Sequence, residues 1–395
     1  MAKKDGFKTI NSNIEEVDRK IRHHRLRMVK TVFWGMVIIV AAWALLGLFQ
    51  AMRSFDSYDV ISTVERKDTS ASMFSYFDGN IVEYSNDGIV CMDRKGNLIW
   101  NQAFEMSSPM LDICEEYLIM YDKEGTKIYV MNKQGAVKQI ETSKPIQTAC
   151  VAEQGTVAVL MKEDSASDVK LFDKNGKELA GGQFYLSKGA IPIDIAFSKD
   201  AKKLAVDMVD ITNGKVCTTI SFYNFGSVGQ NEIDNNVGTY AYEDLFIPEI
   251  EYMDENQMIA IGDKKLLIFG GTQKPELDKE IEWEQTITSV FYNDRYLGVT
   301  YNNEEEEFSH HIMVYDAKGK VVMENDTSIV YDEISFLEND EICVLNDHEC
   351  ELFTKHSIKK FSYTFDMPIY SVLSTNVADE YVFMMEGTTD EVKLR

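Results

Sequence analysis

Few residues in this sequence have the types and spacing that chemistry needs. Beyond position 30 the histidines are His310, His311, His348 and His356. The densest set of candidate ligands runs from Asn302 to His311, where Glu304, Glu305, Glu306 and Glu307 precede His310 and His311. Carboxylates and imidazoles together suit Zn²⁺ or Ca²⁺. Adjacent histidines on a strand point to opposite faces, however, so a single ion could not take both without a bulge. The expected reading of the stretch is a solvated acidic hairpin loop.

The six cysteines are Cys91, Cys114, Cys150, Cys217, Cys343 and Cys350, with no C-x-x-C pair among them. Most sit among apolar strand residues, where cysteine acts as a small hydrophobe. The exception is EICVLNDHECELF: a two-residue turn at Asn346-Asp347 places Cys343 opposite Cys350, a possible disulfide in an oxidising compartment. No G-x-S-x-G elbow, phosphate-binding loop, G-x-G-x-x-G turn or D-x-D-x-D-G calcium loop occurs. No catalytic, cofactor-binding or metal residue is assigned, no cofactor is expected, and the expectation is a protein that is not an enzyme. Two runs, Glu249-Ile-Glu-Tyr-Met-Asp-Glu255 and Glu282-Trp-Glu284, mix aromatics with carboxylates as a face for a basic partner does, although ordinary strand faces look the same.

Charge divides the chain. Its 395 residues carry a net charge of −25, yet residues 1–30 hold nine basic side chains against four acidic ones. The remainder is strongly acidic and repels phosphate, which argues against nucleic acid as a partner. Between the halves lies Thr31 to Met52, TVFWGMVIIVAAWALLGLFQAM, without a charge and long enough at 1.5 Å per residue to cross a hydrocarbon core. The basic head is too long for a cleaved signal peptide, so 31–52 reads as a signal-anchor helix in the lipid bilayer. Arg22, Arg25, Arg27 and Lys30 on its N-terminal side place residues 1–30 in the cytoplasm and 53–395 outside. The stretch Asn13 to Lys30, with Ile14, Val17, Ile21 and Met28 at helical spacing, suits a helix on anionic lipid or a solvated stub that only sets topology.

Beyond residue 70 short runs rich in Val, Ile, Tyr and Phe alternate with polar turns, an all-β pattern. One phrase recurs: VCMDRKGNLIW from Val90, YVMNKQGAVKQI from Tyr129, KLFDKNGKELA from Lys170 and MVYDAKGKVVM from Met313. Weaker copies begin at Ser221, Leu267 and Glu351. The marker glycines Gly96, Gly135, Gly176, Gly226, Gly270 and Gly319 are 39, 41, 50, 44 and 49 residues apart, and Ser357 holds the equivalent place 38 residues on. A period in the low forties filled with strands is that of a four-stranded propeller blade. Seven blades are counted near 68–104, 105–142, 143–182, 187–234, 242–282, 284–326 and 327–365. The last stretch supplies only three strands, and Tyr58 to Arg66 is an orphan strand of the right length to complete it. An eight-bladed β-propeller closed by 58–66 is therefore expected, with seven blades as the alternative.

The phrase Asp93-Arg-Lys-Gly-Asn-Leu-Ile-Trp100 resembles the D-x-x-G-x-x-x-W fragment of quinoprotein-type propellers, the class that includes the lipoprotein B subunit of the outer-membrane β-barrel assembly machinery. Only this blade carries Trp there; the others have Ile140, Ala180 or Met323 nearby. The layout as a whole, basic stub, signal anchor and acidic propeller with D-x-x-G hairpins, is similar to a Firmicute family of single-pass propeller proteins of unknown function. That resemblance transfers no active residue. It implies an extracytoplasmic scaffold or protein-interaction module in the bacterial cell envelope, with an envelope protein as partner. The alternative is a small-molecule or glycan sensor using the funnel, and a quinone- or metal-dependent enzyme ranks last.

Overall fold

The computed structural model describes residues 14–51, 53–66, 72–163, 166–185, 189–212, 214–302 and 310–395. It divides into two units, 1–54 and 55–395. In the first, Ile14–Ala51 is one uninterrupted helix, and Ile21–Trp43 within it is long and apolar enough to cross a membrane. The helix starts well before the uncharged run, because Arg, Lys, Leu and Met in the basic stretch are themselves good helix formers and no proline intervenes. Asn13 and the side chains of Ile14 and Val17 lie outside the described residues.

In the second unit eight four-stranded antiparallel sheets follow one another along the chain. They span 73–103, 109–141, 146–185, 191–243, 249–282, 287–327 and 333–364, and the eighth joins 369–394 to Tyr58–Glu65. First strands of neighbouring blades touch one another, those of blades 2 and 3, 3 and 4, 4 and 5, 6 and 7, and 8 and 1, so the first strands lie toward the axis. Closure is by the N-terminal strand: Tyr58 pairs with Leu394 and Glu65 with Thr388. A ring tied in this way has no end at which a blade lacks a neighbour.

Side chains alternate between the two faces of a strand, and in the second strand of most blades both faces are buried. Val157 to Met161 in blade 3 are all at 0% exposure, the mark of strands packed between two neighbouring blades. Blade 4 departs from the expected boundary. Its outer strand is Asn236–Glu243, beyond a long connection that carries two short 3-10 turns, Gly229–Asn231 and Ile233–Asn235.

The recurring D-x-x-G phrase has a local cause and a long-range one. Asp173 accepts the amides of Asn175 and Lys177 at 2.9 and 2.8 Å, and Asp316 accepts those of Lys318 and Lys320 at 2.9 Å each. This turn needs a left-handed residue at its fourth position, and Gly96, Gly135, Gly176 and Gly319 have φ of 76°, 105°, 81° and 68°. Ser357 adopts it too, at 62°. Gly226 and Gly270 do not: the first opens the long blade 4 connection, and Gly271 takes the positive φ of blade 5. The long-range cause is that each turn rests on the preceding blade's outer strand. A Cβ on Gly319 would lie 2.6 Å from Ile281, one on Gly96 2.5 Å from Val64, and one on Gly135 3.3 Å from Trp100. The tryptophan of the motif is thus the floor under the next blade's turn, a place Val64 and Ile281 fill elsewhere.

Candidate functional site

The structure separates the two adjacent histidines as strand geometry requires. On strand His310–Asp316, His310 packs on Tyr331 with ring centroids 4.6 Å apart, while His311 turns to the other side. Residues 303–309, including the four glutamates, lie outside the described residues. Among the described residues no three His, Cys, Asp or Glu side chains are placed to hold a metal ion.

Cys343 and Cys350 are neighbours, in a register different from the expected one. Leu345, not Cys343, faces Cys350, and Cys343 faces Leu352. The hairpin is longer by two residues because Asn346 caps it with its side chain, accepting the amides of His348 and Glu349 at 3.0 and 2.7 Å. The thiols sit diagonally across the ladder, 4.0 Å apart in hydrogen-bond contact and not joined by a disulfide. Both are buried in the core between blades 7 and 8.

Around the axis the inner strands bring together carboxyls and thiols that are far apart in sequence. Pro109–Cys114 supplies Asp112 and Cys114, Ile146–Val151 supplies Cys150, Ile191–Phe197 supplies Asp194, and Glu249–Tyr252 supplies Glu249 and Glu251. Some of these groups sew blades together. Asp112 accepts the Val151 amide of the next blade at 2.6 Å, and Asp194 accepts that of Ile250 at 3.0 Å. The Tyr292 hydroxyl donates to Glu249 at 2.7 Å.

Electrostatically the group is strained. Burial pushes Asp112 up to about 6, against the relief of two amide hydrogen bonds. Asp194 is pushed up to about 7, again chiefly by burial. Glu251 stands well above the usual carboxylate range through burial and then the charges of Asp112, Asp194 and Glu249. Burial likewise raises the Cys114 thiol to about 12 and Cys150 well above its ordinary value. Behind Asp194 in the ladder, Asp207 is at 0% exposure with no hydrogen-bond partner beyond a loose approach to the Met208 amide, and burial with the Asp194 charge raises it to about 8.

At the end of the channel formed by the first hairpin of each blade, Lys199 of blade 4 pairs with Asp294 of blade 6 and lies 3.8 Å from Glu115 of blade 2. Burial works against that charge, but Asp294 and Glu115 outweigh it and hold the ammonium above its usual range. Beside this bridge a cavity of about 750 Å³ is lined by Tyr76, Phe77 and Phe336 together with Asp78, Arg295 and Glu338.

A second concavity, about 740 Å³, opens between the outer strand of blade 5 (Glu276–Glu282) and blade 6. Its floor holds Tyr301, Tyr315, Met313 and Ile281, and its rim carries Glu282, Glu284, Glu324 and Asp326. The Tyr315 hydroxyl donates to Met313 Sδ at 2.8 Å, and Trp283 lies behind, its indole donating to the Gly262 carbonyl at 2.8 Å.

Of the acidic runs singled out in the sequence, Glu282-Trp-Glu284 lies at this cleft. Glu249 to Glu255 is no continuous face: Glu249 and Glu251 belong to the channel, while Ile250 and Tyr252 are core at 1% and 4% exposure. Asp112, Asp194 and Asp207 escaped sequence reasoning. Their signal was a lone acid in an apolar run, LDIC, IDIAF and LAVDMV, which a buried strand does not tolerate without a cause.

Eight four-stranded sheets in a closed ring define a β-propeller. The profile of the family of unknown function DUF5711 matches residues 51–394, and the chain belongs to that family. No curated protein matches the sequence. Among solved structures the chain is similar to BamB from Moraxella catarrhalis, at 10% identity and a TM-score of 0.51 over 86% of this chain and 100% of that one. It is similar also to the C-terminal WD40 domain of Sif2, at 12% identity and a TM-score of 0.55 over 86% and 99% of the two chains. At such identities the likeness is one of fold.

Proposed function

We propose that this protein is a membrane-anchored interaction module of the bacterial cell envelope, with its N-terminus in the cytoplasm and its propeller outside. The observation that carries the reading is the junction: a helix able to span a bilayer ends at Ala51, and Tyr58 already begins the strand that closes the ring. A rigid closed ring on a short tether presents its loops to membrane neighbours, and recognition rests on surface complementarity. The basic residues before the helix favour the stated orientation.

Cross-linked co-purification from native membranes tests this. The full-length protein is compared with a version in which 31–52 is replaced by an unrelated anchor. Capture of the same envelope proteins by both supports the propeller as the recruiting element; capture of none by either ends the reading.

A second reading, a small-molecule or glycan sensor, is favoured by the cavity of about 750 Å³ where aromatic and charged side chains meet at the channel end. A thermal-shift screen of sugars in which Phe336→Ala abolishes a ligand-induced rise in melting temperature would support it.

A further inference from the structure

We propose that the cleft between blades 5 and 6 docks an arginine-bearing extended segment of a partner protein. The inference rests on the interaction-module reading and adds the chemistry of the partner.

Charge is the first argument. Five carboxylates line the cleft, those of Glu280, Glu282, Glu284, Glu324 and Asp326, against two basic side chains, Lys279 and His311. Lys279 is already committed, donating to the Gly319 carbonyl at 2.7 Å, and Glu280 is paired with Lys265 at 2.9 Å. Glu282 and Glu284 make no ion pair among the described residues, although both are exposed at the rim. Glu284 lies close enough to the tyrosine pair for its charge to oppose ionisation of both phenols.

The second argument is that the cleft already holds one planar cation-forming group. His311 Nδ1 is 2.7 Å from Asp326 and Nε2 is 3.3 Å from Glu324, and the ring stacks on Tyr301 at 6.4 Å with 29° between planes. A guanidinium offers the same features on a longer stem: a flat face for an aromatic ring and N–H groups directed to carboxylates on its edge. Ile281, Met313 and Val321 provide apolar surface for that stem. The volume accommodates several side chains, which suits an extended segment better than a lone ion.

The test uses purified full-length protein in detergent micelles at about 150 mM salt, where diffuse attraction to an acidic surface is screened. The probe is a fluorescein-labelled Gly-Arg-Gly-Arg-Gly-Arg peptide followed by anisotropy, beside its lysine counterpart. The Arg peptide is expected to bind about fivefold or more tightly than the Lys peptide. Glu282→Gln with Glu284→Gln should weaken it by about tenfold or more. Glu105→Gln with Glu141→Gln, the same charge change on exposed residues of the blade 1–2 connection and of blade 2, should leave it within about twofold. Both pairs replace exposed residues, and unchanged melting temperatures establish that they fold. Absence of Arg-peptide binding, equal affinity for the Lys peptide, or equal loss in both variants would each overturn the proposal. None of these outcomes touches the co-purification result, so the cleft can fail while the interaction module stands.

Discussion

Tyr58, the first residue of the closing strand, lies opposite Leu394 in blade 8 and has its ring 5.2 Å from Phe383 and 5.1 Å from Tyr363. It thus packs at once on the blade it completes and on blade 7. Backbone pairing alone leaves a closing strand free to fray; this aromatic cluster, with Phe361 and Phe365, fixes its start. Tyr58→Ala removes those contacts and should cost about 2 kcal/mol. The measurement is the denaturant midpoint of the full-length protein. A loss below about 0.5 kcal/mol, the scale of an ordinary surface change, would mean the ring closes without this contact.

Asp207 and Asp194 face each other in blade 4, and both are raised from 3.8, to about 8 and about 7. An acid whose folded-state pKa is raised binds its proton more tightly in the folded state than in the unfolded one. Its contribution is therefore fully present below about 4 and is lost as pH rises through the folded value. Asp207→Asn mimics the protonated side chain. It should come close to the parent at pH near 4 and draw ahead as pH rises, exceeding it at pH near 8 by at least about 1 kcal/mol, the worth of less than one pKa unit. Parallel stability profiles across that window would show that Asp207 binds its proton no more tightly in the folded state than in the unfolded one.

At Gly319 two constraints coincide, a φ of 68° and a Cβ position 2.6 Å from the Ile281 methyl. Gly319→Ala should cost about 1–3 kcal/mol. Gly226→Ala has neither a positive φ nor a neighbour nearer than 3.0 Å, where the Asn224 side chain can shift, and should cost less than about 1 kcal/mol. Thermal melts of the two variants decide the matter, and equal losses would mean that neither the positive φ nor the contact with Ile281 demands glycine in the turn.

The ring and its closure were legible because repetition and strand patterning are local: seven D-x-x-G-like hairpins and an orphan strand suffice to count eight blades. Register was less so. The two-residue turn inferred at Asn346-Asp347 failed because a side-chain cap at Asn346 lengthens the hairpin, and caps of that kind leave little trace in the pattern. The channel was the least legible part, since Asp112, Cys150, Asp194 and Glu251 come from four successive blades and meet only when the ring closes. Glu282-Trp-Glu284 was visible as a mixed run, but its partners Tyr301 and His311 belong to the following blade.

Cysteine reactivity tests blades 4 and 7 together. Thiolate, not thiol, attacks an alkylating reagent, and the reagent must also reach it. Cys343 and Cys350 are 3% and 0% exposed. The Cys343 thiol is held well above its ordinary range by its hydrogen bond with Cys350 and then by burial. Cys217 is partly exposed, on the long blade 4 hairpin between Lys203–Thr212 and Lys215–Asn224. Iodoacetamide added to the native protein should therefore label Cys217, whereas Cys343 and Cys350 react only after denaturation. Peptide mass spectrometry reads each site. Native labelling of Cys343 would mean that blade 7 opens locally; failure of both thiols to react even when denatured, reversed by reductant, would show that they are joined and that oxidation has drawn the diagonal pair together from 4.0 Å.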